Sequence, residues 1–278
     1  MQTTALYTRI APTPSGYLHP GNGLSFLLTW MIARRAGGRI LLRIDDLDRA
    51  RYRPEYVEDI FETLDWLGID YDEGPRDRTD FEQNWSQHQR LDLYAAALTQ
   101  LRNQGQVFAC ACSRKQIRQR SADGTYPGTC ASVGRSLDDE SLAWRVYLPE
   151  RVAPVPWPQW RTVNPPDDVR PLEAFVVKQK NGFPAYQLAS LVDDTHFEIN
   201  FIVRGQDLWE STRAQQYLAQ LLGQTHFQRT IFWHHPLLLD EAGRKLSKSK
   251  GAGSLRAWRK AGRSPQKLIE RAAGLLDS

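Results

Sequence analysis

Thr8-Arg-Ile-Ala-Pro-Thr-Pro-Ser-Gly-Tyr-Leu-His-Pro-Gly-Asn22 is the stretch on which the fold turns. Tyr7–Ala11 reads as a short strand. It runs into a proline-rich turn that presents His19 and ends at Gly21. Leu24, Leu27, Leu28, Met31 and Ile32 then recur at helical spacing, with Asn22 placed to cap the helix. Gly37-Gly38 stops it. Arg39–Ile44 is a second strand and ends in the acidic run Asp45-Asp46-Leu47-Asp48. Pro54 stands where a first helical turn begins, and Val57, Ile60, Phe61, Leu64 and Leu67 line one face after it. Strand, helix, strand, helix is the βαβ pattern of a parallel sheet covered by helices. In such sheets ligands bind beyond the carboxyl ends of the strands, where the Pro12–Asn22 turn and the Asp45–Asp48 run both fall.

Gln87–Gln104 is expected to be another helix. From Cys110 to about Pro171 the chain changes character, with cysteines, glycines, prolines, Trp157 and Trp160 and little helical period. This segment reads as an insert. The βα pattern resumes at Ala174–Lys178, followed by a helix near Tyr186–Leu191, a strand Ile199–Arg204 and a helix from Asp207 to Leu222. Leu237–Asp240 is expected as a final strand before the loop Lys245-Leu-Ser-Lys-Ser249. Ser264-Pro265 opens a last helix with Leu268, Ala272, Leu275 and Leu276 on one face. The expected division is residues 1–109 and 172–250 as two halves of one nucleotide-binding domain, 110–171 as the insert, and 251–278 as a short helical tail. There is no internal repeat.

With 278 residues, 41% apolar and 24% charged, the chain has an ordinary globular composition. A net charge of +4 suits a polyanionic partner without requiring one. No stretch is long and apolar enough to span a bilayer, and no basic segment precedes a hydrophobic run near the start. A cytoplasmic monomer with no membrane partner is expected. Three cysteines, an odd number in one segment, argue against a disulfide framework.

The turn at His19 and the lysine loop suggest a site that holds a nucleoside triphosphate and acts on its α-phosphate. Attack there by a carboxylate makes an acyl-adenylate and expels pyrophosphate, and the transition state spreads negative charge over the phosphate oxygens. An imidazole N–H from His19, peptide N–H groups at the next helix's start, and Lys245 and Lys248 with the Ser247 hydroxyl are suitable donors. Gly21 lets the backbone approach the nucleotide. Singly, each motif also reads as a turn or a solvated loop; their order on a βαβ pattern favours the nucleotide site.

These residues resemble the catalytic domain of class I aminoacyl-tRNA synthetases of the glutamyl type. His19-Pro-Gly-Asn22 is similar to the HIGH motif and Lys245–Ser249 to the KMSKS motif. Arg9–Gly16, Leu42–Asp48, Ala185–Asp194 and Ile202–Asp207 match in order. The resemblance implies an α/β fold: a Rossmann-type parallel-sheet catalytic domain with a zinc-containing insert and a short C-terminal helical segment. It implies ATP with magnesium as substrate, His19 and Lys248 as catalytic residues, and His19, Gly21, Asn22, Lys245, Ser247 and Lys248 around the ATP. For L-glutamate it implies Arg9, Tyr186 and Arg204 on the side-chain carboxylate, Ala11 and Thr13 as the wall, and Asp45 on the ammonium. Asp45 stands where the family usually has a glutamate, one methylene longer. Arg9 and Arg204 have another reading, as structural partners of Asp45, Asp46 or Asp207.

Cys110-Ala-Cys112 and Cys130 offer three thiolates, and chemistry alone leaves open whether they bind zinc or pack as small apolar groups. The short glutamyl-type paralogues that act on the queuosine of tRNA(Asp) are similar here, with Cys-x-Cys, Tyr, and Cys. That match implies one structural zinc per chain held by Cys110, Cys112, Tyr126 and Cys130. It also implies tRNA-independent activation of glutamate, transfer to queuosine in tRNA(Asp), and no anticodon-binding domain. Arg114, Lys115, Arg118, Arg120, Arg256 and Lys260 are candidates for phosphate contact. Alternatives are another acceptor, such as the 3′ end of tRNA(Glu) or a carrier molecule, or a non-catalytic RNA-binding module with the same fold.

Overall fold

The computed structural model describes residues 5–121, 125–148, 172–238 and 253–277. It opens with β1 (Tyr7–Ile10), α1 (Pro20–Arg35), β2 (Arg39–Leu42) and α2 (Pro54–Leu67). Pro20 and Pro54 each start their helix with φ already set and no N–H to satisfy. Gly37, at φ +61°, turns the chain out of α1 so that Arg39 begins a strand parallel to β1, in the register Tyr7↔Arg39 to Ile10↔Leu42. Ile10, Ile40, Leu41 and Leu42 are buried, as strands covered on both faces require.

A short α3 (Arg78–Asp80) and a 3₁₀ turn, Gln87–Arg90, lead into α4 (Leu91–Asn103). The helix expected over Gln87–Gln104 therefore begins as a tighter turn. Then come β3 (Val107–Cys110), α5 (Arg114–Arg120), β4 (Ala143–Val146) and β5 (Val176–Lys178). These strands form an antiparallel sheet in the order β3-β4-β5. Ala174–Lys178 thus does not resume the parallel pattern. Val177 is fully buried in the core shared with Val107 and Val146, and that burial sets its pairing.

The parallel pattern returns with α6 (Tyr186–His196), β6 (Phe201–Gly205), α7 (Trp209–Leu221), α8 (Thr225–Gln228) and β7 (Ile231–His235). β6 and β7 pair in parallel from Phe201↔Ile231 to Gly205↔His235. Among the described residues the last strand is therefore Ile231–His235; Leu237 and Leu238 are not in a strand, and residues 239–240 lie outside the described residues. The two parallel pairs meet where Asn200 N–H donates to Tyr7 O at 3.0 Å and Tyr7 N–H donates to Asn200 Oδ1 at 2.8 Å. β1 and β6 are adjacent, and their carboxyl ends open on one cleft.

α9 (Leu255–Lys260) and α10 (Gln266–Asp277) close the described chain. Leu255 and Leu268 pack directly over Gly23 of α1, where a Cβ would lie 3.0 and 2.9 Å from their methyl carbons. Buried Leu24, Leu27, Leu28, Ile60, Leu64, Leu255, Leu268 and Ala272 share one core with the first βαβ unit. No helix among the described residues is long and apolar enough to cross a membrane.

Candidate active site

His19 is the N-cap of α1. Its Nδ1 accepts the Gly21 N–H at 3.1 Å, and Asn22 Oδ1 accepts the His19 N–H at 3.1 Å. Asn22 is therefore the third residue of a capping box and not the cap. With Nδ1 an acceptor, the neutral ring carries its proton on Nε2, a donor suited to a phosphate oxygen. Gly21 also has a local role: a Cβ there would sit 2.9 Å from His19 Cε1.

A cleft of about 190 Å³ lies over the ends of β1 and β6. Of the residues expected at the site, Arg9, Ala11, His19, Gly21, Asn22, Tyr186 and Arg204 line it together. Thr13 and Asp45 line a neighbouring cleft of about 800 Å³ between the parallel strands and the antiparallel sheet. Half-exposed Tyr186, first residue of α6, lines both and joins them. Lys245, Ser247 and Lys248 lie outside the described residues.

Beneath these clefts is a buried ionic network. Arg9 Nε donates to Asp194 Oδ1 at 3.1 Å, and Arg43 Nη1 donates to the same oxygen at 2.5 Å. Arg43 also grips both oxygens of Asp45, at 2.8 and 3.2 Å. Burial raises the Asp45 pKa, and Arg43 opposes it. Asp193 accepts from Arg90, Tyr94 and Gln87 at 2.7–2.8 Å. Burial works against its charge, yet Arg43 and Arg90 hold its pKa below the ordinary carboxylate value.

Arg204 stands apart. It is 3% exposed. Its Nη1 donates to Gln215 Oε1 at 2.8 Å and Thr212 Oγ1 at 3.2 Å, while Nε and Nη2 have no hydrogen-bond partner among the described residues. Burial, reinforced by the charge of Arg9, pulls it down to about 10, which leaves it a cation at neutral pH. Among the described residues Arg9 pairs with Asp194, not with Asp45 or Asp46, and Arg204 donates to the neutral Gln215 and Thr212. Among the described residues, Arg9, Arg43, Arg90 and Arg204 set four guanidiniums against the three carboxylates Asp45, Asp193 and Asp194, one cation in excess.

Cys110, Cys112 and Cys130 bring their Sγ atoms within 4.8 Å of one another. Tyr126 Oη lies 3.6 Å from Cys110 Sγ and accepts the Cys130 N–H at 3.0 Å. Burial pushes the Cys130 thiol up, but the Ala111 N–H and neighbouring donors bring it to about 6. Burial raises the Tyr126 phenol, so a bound cation would have to draw off that proton. Three sulfurs at this spacing suit tetrahedral zinc, whose Zn–S bonds of about 2.3 Å set sulfurs somewhat under 4 Å apart. Arg145 stacks over the Tyr126 ring at 4.0 Å.

Arg43, Asp193 and Asp194 fall inside stretches the sequence singled out, but nothing local separated them from neighbouring charges. Ser25 and His235 also line the smaller cleft. They are 210 residues apart and leave no sequence signal.

The family model for class I tRNA synthetases (E and Q), catalytic domain, matches residues 5–143 and 159–274. A glutamyl-Q tRNA(Asp) synthetase of Symbiobacterium thermophilum is 38% identical over 97% of this chain and 87% of its own length. One from Rhodobacter capsulatus is 35% identical over 97% of this chain and all of its own. Among solved structures, the glutamate-tRNA synthetase from Elizabethkingia anophelis superposes with a TM-score of 0.66 at 24% identity, a likeness of fold. It covers 93% of this chain, which spans 54% of that protein.

Proposed function

The chain belongs to the catalytic-domain family of class I tRNA synthetases of the E and Q type, and on that premise we propose that it is an ATP-dependent ligase that activates L-glutamate without tRNA and passes it to the queuosine of tRNA(Asp). The α-carboxylate of glutamate attacks the α-phosphorus, the bond to the bridging oxygen breaks, and magnesium pyrophosphate leaves. A hydroxyl of the acceptor then attacks the acyl carbon and releases AMP.

One observation carries the choice of substrate. Arg204 lines the cleft that His19 lines, and two of its guanidinium nitrogens are buried with no hydrogen-bond partner among the described residues. A buried cation without a counter-charge is costly, and an anionic side chain is what relieves it. Glutamate supplies that charge and glutamine does not. Arg9, anchored on Asp194, offers a second guanidinium edge, and Tyr186 covers the mouth. His19 Nε2–H donates to the phosphate oxygen on which charge develops. The reading gives Lys245, Ser247 and Lys248 the pyrophosphate side. Asp45, drawn onto Arg43, meets the ammonium through a shifted substrate or a bridging water.

The larger cleft beyond Tyr186 has room for the acceptor nucleoside. The acceptor itself rests on the names of the relatives; the end of tRNA(Glu) is the other candidate. In this reading residues 110–171 are an insert between catalytic halves 1–109 and 172–250. Cys110, Cys112, Tyr126 and Cys130 would hold a structural zinc that pins the insert's loop to the sheet and leaves no coordination position for a reacting water.

The test is exchange of pyrophosphate into ATP without tRNA, offered glutamate, glutamine and aspartate in turn. Exchange with glutamate alone is expected. Exchange with none, or better with glutamine, overturns the substrate assignment. Transfer of labelled glutamate to tRNA(Asp) with queuosine, and not to the same tRNA without it, decides the acceptor.

A further inference from the structure

The smaller cleft carries a polar pair that the chemistry above does not use. Ser25, on α1, lies with its Oγ 2.6 Å from Nε2 of His235, at the end of β7. The other ring nitrogen fixes the direction of that bond. His235 Nδ1 is 2.8 Å from the carbonyl oxygen of Pro236, which can only accept, so Nδ1 carries a proton. The ring is buried, and burial lowers its pKa, so the imidazole is neutral and Nε2 accepts. The Ser25 hydroxyl must therefore donate to Nε2. One turn on, Thr29 Oγ1 donates to Ser25 O at 2.7 Å. Both hydroxyls on this face of α1 have committed their protons and keep only lone pairs for a ligand.

Ser25 follows His19 by six residues, about 9 Å along the helix axis. Phe26, Leu208, Leu237 and Leu238 supply apolar walls to the same cleft. His19 and this wall line one cleft, so a nucleotide held by its α-phosphate at His19 has the wall within reach of its nucleoside.

We propose that Ser25, oriented by His235, is a nucleoside-specificity residue of this site. Its oxygen accepts from an N–H or O–H donor of the nucleoside, either the exocyclic amine of adenine or a ribose hydroxyl. A base with a carbonyl in place of the amine would set oxygen against oxygen. His235 touches Ser25 and not the ligand, and is a positioning residue. The inference rests on reading the cleft as a nucleotide site and is independent of which amino acid is activated.

Calorimetric titration of the full chain with ATP, ITP, 2′-deoxy-ATP and 3′-deoxy-ATP tests it. The wild type is expected to bind ATP at least about tenfold tighter than one analogue, and that analogue identifies the donor. Ser25→Ala is expected to weaken ATP about tenfold and leave that analogue unchanged. Ser25→Thr, which keeps the oxygen, restores ATP binding. His235→Phe weakens ATP with the same dependence on analogue, because the hydroxyl is no longer held. Equal wild-type affinity for all four nucleotides, or no binding, overturns the proposal without any variant. So does Ser25→Ala weakening all four equally or leaving ATP within about twofold. Selective ATP binding without glutamate-dependent exchange would sink the substrate assignment alone.

Discussion

Arg9 and Asp194 are joined across the sheet: the guanidinium on β1 donates to a carboxylate on α6 that is 0% exposed. Arg43 shares the same oxygen, so one carboxylate holds two cations at the floor of the cleft. Asp194→Ala leaves both without that charge in a dry site. The expected cost is about 3–5 kcal/mol of unfolding free energy in urea, with a smaller cost for Asp194→Asn.

Arg204→Met separates stability from function. The guanidinium is buried with two nitrogens unsatisfied, so an apolar replacement of similar length removes a desolvation cost. Unfolding free energy is expected to hold or rise by about 1 kcal/mol. Loss of a charge-assisted contact to the substrate carboxylate lowers kcat/KM for glutamate about a hundredfold in pyrophosphate exchange.

Gly21→Ala places a methyl against the His19 ring. The ring must leave its seat on the Gly21 N–H, and the donor nitrogen moves with it. Exchange is expected to fall at least about tenfold in kcat, with KM for glutamate unchanged and thermal stability little affected, because alanine suits a helix better than glycine.

Asp193 gives stability an acid limb. Its pKa lies below the ordinary 3.8. Its contribution is therefore complete above that value and is lost as pH falls through the lower folded value. Asp193→Asn should unfold at lower urea than wild type at neutral pH, and the gap should narrow below 3.8. Asp45 has the opposite sign: its pKa is raised, so the cost of burying its charge sets in as pH rises through the folded value.

Elemental analysis of the purified chain is expected to find one zinc, bound by the cysteine cluster. Cys130→Ser should lose the metal. Removing it with a strong chelator should lower the melting temperature while leaving ATP affinity within about twofold, since the cluster lies away from the smaller cleft.

The alternation of strand and helix was legible because Gly37, Pro54 and the leucines of α1 punctuate it locally. His19 was legible for the same reason, since a cap and its glycine are neighbours in the chain. Val176–Lys178 was misread because a short β-branched run looks alike in parallel and antiparallel sheets; only packing against β4 decides. Asp193 and Asp194 lie beyond the helix expected near Tyr186–Leu191 and had no role assigned from the sequence. Their burial depends on Arg9, Arg43 and Arg90, which arrive from other elements. The Ser25–His235 pair is a purely tertiary fact.

The bond between Tyr7 and Asn200 joins positions 193 residues apart. The strand beneath the cleft thus waits for partners made much later on the ribosome. Early in synthesis β1 and β2 present an unpaired margin, and α1 lacks the lid that Leu255 and Leu268 place over Gly23. Productive assembly of the pocket should therefore be a late, slow event, and nascent chains halted before residue 200 should be the ones that chaperones capture and proteases clip.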